Sequence, residues 1–256
     1  MVPEVSTQYG DDKDLRARQR LWAISKREPH FALYAWVLEL AGLAGGERIL
    51  EVGCGNGEYL ARVNAIGIDI SLGMLAAAKQ RASGPLVCGD AESLPFVESA
   101  FDVVLAPHML YHVSNRLAAV HELRRVLKGT GTCVAVTNGE DNHQEMVELV
   151  ERVVGHGWGW RRLAVSGFSL ENGEAQLRAG FDVVERVDCP ASAFLVTDVD
   201  ALAAYLASIG DLYESQVSQW MNWDEVVEEC RRRAALVVDA EGAFRISTSI
   251  GAFVCR

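Results

Sequence analysis

LEVGCGNGEY, residues 50–59, sets three alternating glycines directly behind an apolar run and places a carboxylate, Glu51, at their entrance. The run itself, ERILEVGC over 47–54, reads as a buried strand with apolar Ile49, Leu50 and Val52. Glycine has no Cβ, so it admits left-handed backbone and lets a ligand approach the chain closely. Backbone N–H groups there, with the start of a short helix expected over GEYLARV, would receive a small polar ligand. A dinucleotide fingerprint runs G-x-G-x-x-G. Here the glycines fall at 53, 55 and 57, and position 58 is Glu. A carboxylate at the entrance also repels pyrophosphate, whereas it suits an ammonium or a sulfonium. Both features argue against NAD.

Outward from this turn the pattern alternates strand and helix. NAIGIDIS (64–71) reads as a second strand and LGMLAAAKQRA (72–82) as a helix rich in good formers. PLVCGDA (85–91) is a third strand, and FDVVLAPHM (101–109) a fourth whose unbroken apolar run fits a sheet covered on both faces. Ser114 is placed to cap a helix reaching Lys128, with Leu117, Val120, Leu123 and Leu127 on one side and Gly129 as its stop. GTCVAVTNG (131–139) follows as a fifth strand, a helix and a strand at 181–188 come later, and AFRISTSIGAFVCR closes the chain as strands or a hairpin. This order predicts an α/β fold, a doubly wound, mainly parallel seven-stranded sheet with helical lid elements.

The whole chain is read as a single domain: a helical cap over 1–44, a ligand-binding half over 45–140, and a second half over 141–256 with an insertion at 190–240. In the cap, residues 11–43 read as two helices; Pro29 opens the second, with Phe31, Tyr34, Leu38 and Ala41 as its apolar face. The insertion carries Leu202, Tyr205, Leu206, Leu212, Tyr213, Trp220, Met221 and Trp223. Cap and insertion are either a lid over the carboxyl edge of the sheet or additional packing helices.

Five segments in order resemble the class I S-adenosylmethionine-dependent methyltransferases, particularly their small-molecule branch, over about residues 47–139. They are ILEVGCGNG, GIDIS, GDAESLPF, FDVVLAPHMLYHV and LRRVLKGTG. The resemblance implies S-adenosyl-L-methionine as cofactor and S-adenosyl-L-homocysteine as product. It sets Glu51, Gly53, Gly55, Asn56 and Gly57 around the methionine moiety and ribose. Asp69 would accept hydrogen bonds from the ribose hydroxyls, as an ionised carboxylate can from two adjacent donors; its other reading is a helix N-cap, although Ser71 is also available for that. Ile70 and Met74 would flank the adenine, with Asp90 and Ala91 at its edge, Asp90 being alternatively a turn residue. Ala106, Pro107 and His108 would lie beneath the sulfonium. From the N-terminal segment, Tyr9, Arg18 and Trp22 would fold over the cofactor, Arg18 meeting its carboxylate. Gly53 and Asp69 are 16 positions apart, against about 20 in the dinucleotide pattern, so the intervening helix must be short or the connection trimmed.

His108, Tyr111 and His112 follow the fourth strand, where the transferred methyl would point. His112 comes first as a base or orienting group, because a neutral imidazole is available near pH 7; the alternative is a histidine that only orders its loop. His30, on the second helix of the cap, is a further candidate to face the pocket. His121, His143 and His156 read as surface residues. Trp158 and Trp160 are either a substrate wall or a core anchor.

The charge balance bears on the acceptor. A formal net charge of −11 gives a polyanion little to bind, and Arg231, Arg232 and Arg233 sit among acidic neighbours as a solvated helix face. The expected acceptor is therefore a small molecule methylated on oxygen or nitrogen, with no nucleic acid and no membrane as partner. Carbon methylation of an activated ring, or a non-catalytic protein that binds the cofactor, are the alternatives. Six scattered cysteines without a C-x-x-C pair suggest neither zinc nor a disulfide framework. No apolar leader core and no run of about 18 apolar residues is visible, so a cytoplasmic protein is expected.

Overall fold

The computed structural model describes residues 11–155, 167–210, 213 and 221–256. Tyr9, His156, Trp158, Trp160, Leu212 and Trp220 lie outside the described residues. The main sheet has seven strands. In chain order they are β2 (Ile49–Val52), β3 (Ile66–Asp69), β4 (Leu86–Cys88), β5 (Phe101–Pro107), β6 (Leu127–Asn138), β7 (Val184–Asp188) and β10 (Ile250–Cys255). Their spatial order is β4-β3-β2-β5-β6-β10-β7. All pairings from β4 to β6 are parallel, and β10 runs antiparallel to both of its neighbours. This is the doubly wound sheet expected from the sequence. The order reverses between β2 and β5, and in such sheets a ligand crevice opens at that point, beyond the carboxyl ends of the strands.

A second sheet, which the sequence pattern does not announce, lies beside the first. β1 (Lys26–Glu28), β8 (Ala193–Val196) and β9 (Phe244–Ser247) pair antiparallel in the order β1-β8-β9. The closing stretch is therefore no hairpin. β9 joins the small sheet and β10, two residues on, joins the large one, because the slot between β6 and β7 takes all six residues of β10.

Helices cover both sheets: α1 (Lys13–Ile24), α2 (Leu33–Leu40), α3 (Leu72–Ala78), α4 (Arg116–Val126), α5 (Gln144–Val154), α6 (Gly173–Leu177), α7 (Val199–Ala207) and α8 (Trp223–Glu241). One apolar cluster fills each face of the main sheet, around Phe101, Leu123 and Phe253 on one side and Val37, Leu105 and Val134 on the other. A third joins α1, α5, α7 and α8 to the small sheet through Leu21, Leu202, Phe194 and Val226. The long α8 is fixed at its start by a reciprocal capping box. Glu225 N–H donates to Asn222 Oδ1 at 2.8 Å, and Asn222 N–H to the Glu225 carboxylate at 3.3 Å. Such a cap contributes about 1 kcal/mol. On its outer face Arg231 pairs with Glu228, and Arg232 and Arg233 with Glu229, the solvated face the sequence suggested.

Several expectations need correction. Residues 58–62 make hydrogen-bonded turns and no helix, so the glycine turn has no helix N-terminus behind it. Pro29 lies between β1 and α2 rather than opening the helix, and α2 buries Leu33, Trp36 and Val37. Asn115, not Ser114, caps α4 by accepting from Ala118 N–H at 3.1 Å. That helix ends at Val126, and Gly129 belongs to β6. Leu117, placed on the apolar side, is exposed.

Candidate functional site

The glycine turn is sewn to β3. Gly53 and Cys54 N–H both donate to the Ile68 carbonyl, at 2.8 and 3.0 Å. Asp69, the last residue of β3, continues the seam: its carboxylate accepts from Gly55 N–H at 2.8 Å and from Ser71 N–H at 2.9 Å. Ser71 caps α3, its hydroxyl accepting from Met74 N–H at 3.1 Å, which leaves Asp69 free of capping. Gly53 (φ +68°) and Gly55 (φ +51°) are left-handed, a region that side chains other than those of Asn and Asp rarely enter. Gly57 is also left-handed, but a Cβ there would press on Ala78 of α3 at 3.2 Å. Its role is packing, and it does not line the cavity.

That cavity, about 1270 Å³, opens over the carboxyl ends of β2, β3 and β5. Glu51, Gly53, Gly55, Asn56, Asp69, Ile70, Met74, Asp90, Ala91 and Pro107 all line it, as do His108, Tyr111 and His112. Ala106 does not; it is fully buried within β5. His30 is exposed and outside the cavity wall. Asp90 makes the turn contact foreseen for it, accepting from Glu92 N–H at 2.9 Å, while also lining the cavity.

The cap closes one side. Asn56 and Gln19 of α1 form a reciprocal amide pair at 2.8 and 3.1 Å, which docks α1 on the glycine turn. Arg18, one helical position earlier, lines the cavity. Trp22, one turn further, stacks between His143 at 4.6 Å and Phe194 of β8 at 4.5 Å, with Tyr205 of α7 edge-on at 5.1 Å. His143 thus forms part of the cavity wall, contrary to the surface position expected. It follows the carboxyl end of β6 by five residues, so the rule that sites gather at that edge was signal enough to nominate it. Arg27, Tyr34 and Tyr59 were missed as well.

Burial decides the charge states. Glu51 is 2% exposed, one of its carboxylate oxygens has no hydrogen-bond partner among the described residues, and burial beside Asp69 and Glu58 raises its pKa well above the usual carboxylate value. A buried polar atom left without a partner is costly, and an ammonium or other donor from a ligand would relieve it. This orphaned acceptor, the bare left-handed turn and the Asp69 carboxylate together fit a cationic nucleoside that carries a free amino-acid group. Asp69 is likewise raised by burial, an effect opposed by the backbone donors of Ser71 and Gly55. Burial brings His108 and His112 down to about 4 and His143 to about 3, with the positive charges of Arg27 and Arg18 adding to it. All three imidazoles are neutral at pH 7.

These histidines make stability fall in acid. The unfolded chain, with histidines near 6.5, takes up protons first as pH drops below that value, so their contribution is complete above pH 6.5 and is lost between 6.5 and about 4. Between pH 7 and 5.5 the loss is about 1 kcal/mol for each histidine. Urea unfolding at the two pH values measures it. His143→Asn, which keeps a residue tolerant of the left-handed φ of +60°, should remove roughly one third of the loss. Equal stability at the two pH values would contradict this assignment.

A methyltransferase-domain family profile matches residues 50–135. A putative methyltransferase of Encephalitozoon cuniculi is 41% identical over 86 residues, 32% of this chain and 41% of that protein. Demethylmenaquinone methyltransferase of Staphylococcus aureus (strain JH9) is 33% identical over 133 residues, 47% of this chain and 55% of that protein. The chain thus spans about half the length, or less, of these curated relatives. In fold it is similar to a putative methyltransferase from an antibiotic biosynthesis pathway of Anabaena variabilis, with a TM-score of 0.63, 16% identity, and 88% and 96% of the two chains covered. Among the described residues no helix is long and apolar enough to cross a membrane. The matched segment holds the glycine turn and strands β3 to β5, so residues 50–135 are similar to a methyltransferase domain.

Proposed function

We propose that the protein transfers a methyl group from S-adenosylmethionine to an oxygen or nitrogen of a small molecule. The observation that carries this reading is a single cavity with two unlike ends. Glu51, Asp69, Ile70 and Met74 form the end suited to the cofactor, with Arg18 of the cap turned to the same space. Phe194, Trp22, Tyr205 and the histidines form the other. At about 1270 Å³ the space exceeds the usual range of about 300–1,000 Å³ for one ligand, leaving room for an acceptor.

When bound, the cofactor supplies an electrophilic methyl group on its sulfonium. The protein's share is to hold the acceptor in line, exclude water and remove a proton. Alignment contributes up to about 7–11 kcal/mol in favourable cases. His108 and His112 are neutral and cavity-facing, so either can take the proton of an O–H or N–H acceptor, a role worth about 10²–10⁴-fold. A carbon acceptor on an activated ring makes less use of them. The box of Trp22, Phe194 and Tyr205 favours an acceptor with an apolar, flat body, and the acidic surface favours a small molecule over nucleic acid.

Incubation with methyl-labelled cofactor and fractionated metabolite extract tests the reading. Label should enter a low-molecular-weight product, and His112→Ala should slow that transfer about 10²-fold or more while leaving cofactor affinity near the wild-type value. Tight cofactor binding without any transfer would instead make the protein a non-catalytic binder.

A further inference from the structure

Arg27 is the inward-facing residue of β1, between exposed Lys26 and Glu28. Its guanidinium lies 4.4 Å over the ring of Phe194, its β-ladder partner on β8. Among the described residues its buried Nη1 donates to nothing and it belongs to no ion pair. The groups whose charge reaches it are Cys189, Tyr34 and Tyr59, none of them a carboxylate. The carboxylates of the cavity wall, Glu51, Glu58, Asp69, Asp90 and Glu92, gather instead around the glycine turn and the ends of β3 and β4. Arg27 stands on the small sheet against Phe194, and its charge reaches His108 and His143 as well as Tyr34 and Tyr59, which Glu51 also reaches. A half-buried guanidinium without a counter-charge is unfavourable, and burial lowers its pKa. The planar fork of an arginine matches a carboxylate in geometry and charge.

On the reading of the site just given, we infer that the methyl acceptor carries an anionic group, in the simplest case a carboxylate, and that Arg27 holds it. The aromatic box then takes the apolar body next to that charge, and His108 and His143 stand beside the held group. One other carboxylate is chemically equivalent, that of the cofactor's own methionine moiety. Arg18 lines the same cavity on α1 beside Gln19, whose amide is held by Asn56 of the glycine turn, and is the residue assigned to that group.

The test uses the full chain saturated with S-adenosylhomocysteine. Thermal shift is followed on adding benzoate, phenylacetate or 3-phenylpropionate, and on adding the matching neutral amides. At least one acid should raise the Tm, binding about tenfold or more tightly than its amide. Arg27→Gln should abolish that response and Arg27→Lys should keep part of it, with S-adenosylhomocysteine affinity in both within about threefold of wild type. A tenfold or greater loss of S-adenosylhomocysteine affinity in Arg27→Gln would put the cofactor's carboxylate on this arginine and overturn the inference. Equal binding of acid and amide, or no response of the wild-type protein to any acid, would overturn it too. If the wild-type protein fails to bind S-adenosylhomocysteine at all, the proposed function falls, and that result is separately visible in the first titration.

Discussion

Replacing Asp69 with alanine is expected to weaken S-adenosylhomocysteine binding at least about 100-fold, the largest effect on affinity of any single substitution in the cavity. The carboxylate already accepts Gly55 N–H and Ser71 N–H at 2.8 and 2.9 Å, so it both holds the glycine turn against β3 and keeps lone pairs for a ligand. Hydrogen bonds to a charged group contribute about 1.5–3 kcal/mol each. Loss of two from ribose hydroxyls corresponds to about 3–6 kcal/mol, or roughly 10²–10⁴ in affinity. Asp69→Asn separates charge from shape: it keeps one carbonyl acceptor and should fall between the two. Calorimetry on both variants, with the Tm confirming a folded chain, reads the effect directly. Wild-type affinity in Asp69→Ala would remove this residue from the site.

Gly53→Ala is expected to cost about 2–5 kcal/mol of folding stability. The residue sits at φ +68°, where an L side chain carries about 1–2 kcal/mol of strain. Its Cβ would also lie 2.6 Å from the Cβ of Met109, an atom fixed to the backbone and unable to swing aside. Overpacking of this kind adds about 1–3 kcal/mol. For a chain of this size the Tm should drop by roughly 5–15 °C. Gly129→Ala serves as the control: nothing lies within 4 Å of the place its methyl group would take and its φ is ordinary, so a change within about 0.5 kcal/mol is expected. Equal stability of the two variants would mean that Gly53 is not under the constraint described.

The sequence was most legible where one physical requirement dominates. A ligand-facing turn needs missing side chains, and Gly53 and Gly55 occupy such positions. Gly57 shows the limit of the same argument, since its bareness serves α3 and not the cavity. Alternation of apolar runs with helix formers identified the parallel sheet. It could not identify the small antiparallel sheet, because β1 is three residues long and charged, KRE, with its partners more than 160 positions away. That non-local pairing is what carries Arg27 into the cavity. His143 was misplaced for a related reason: its polar neighbours suggest a surface loop, whereas packing of α1 sets Trp22 over its ring. Asn56, which the resemblance sets beside the cofactor, has its amide committed to Gln19.

The most direct measurement of the central claim is a calorimetric titration of the wild-type chain with S-adenosylhomocysteine, run beside one with NADH. One molecule of S-adenosylhomocysteine per chain, with clear heat, and none from NADH, is the predicted outcome. Silence with the first ligand, or heat only with the second, would contradict the reading of the turn at residues 53–57 and of the carboxylate at position 69.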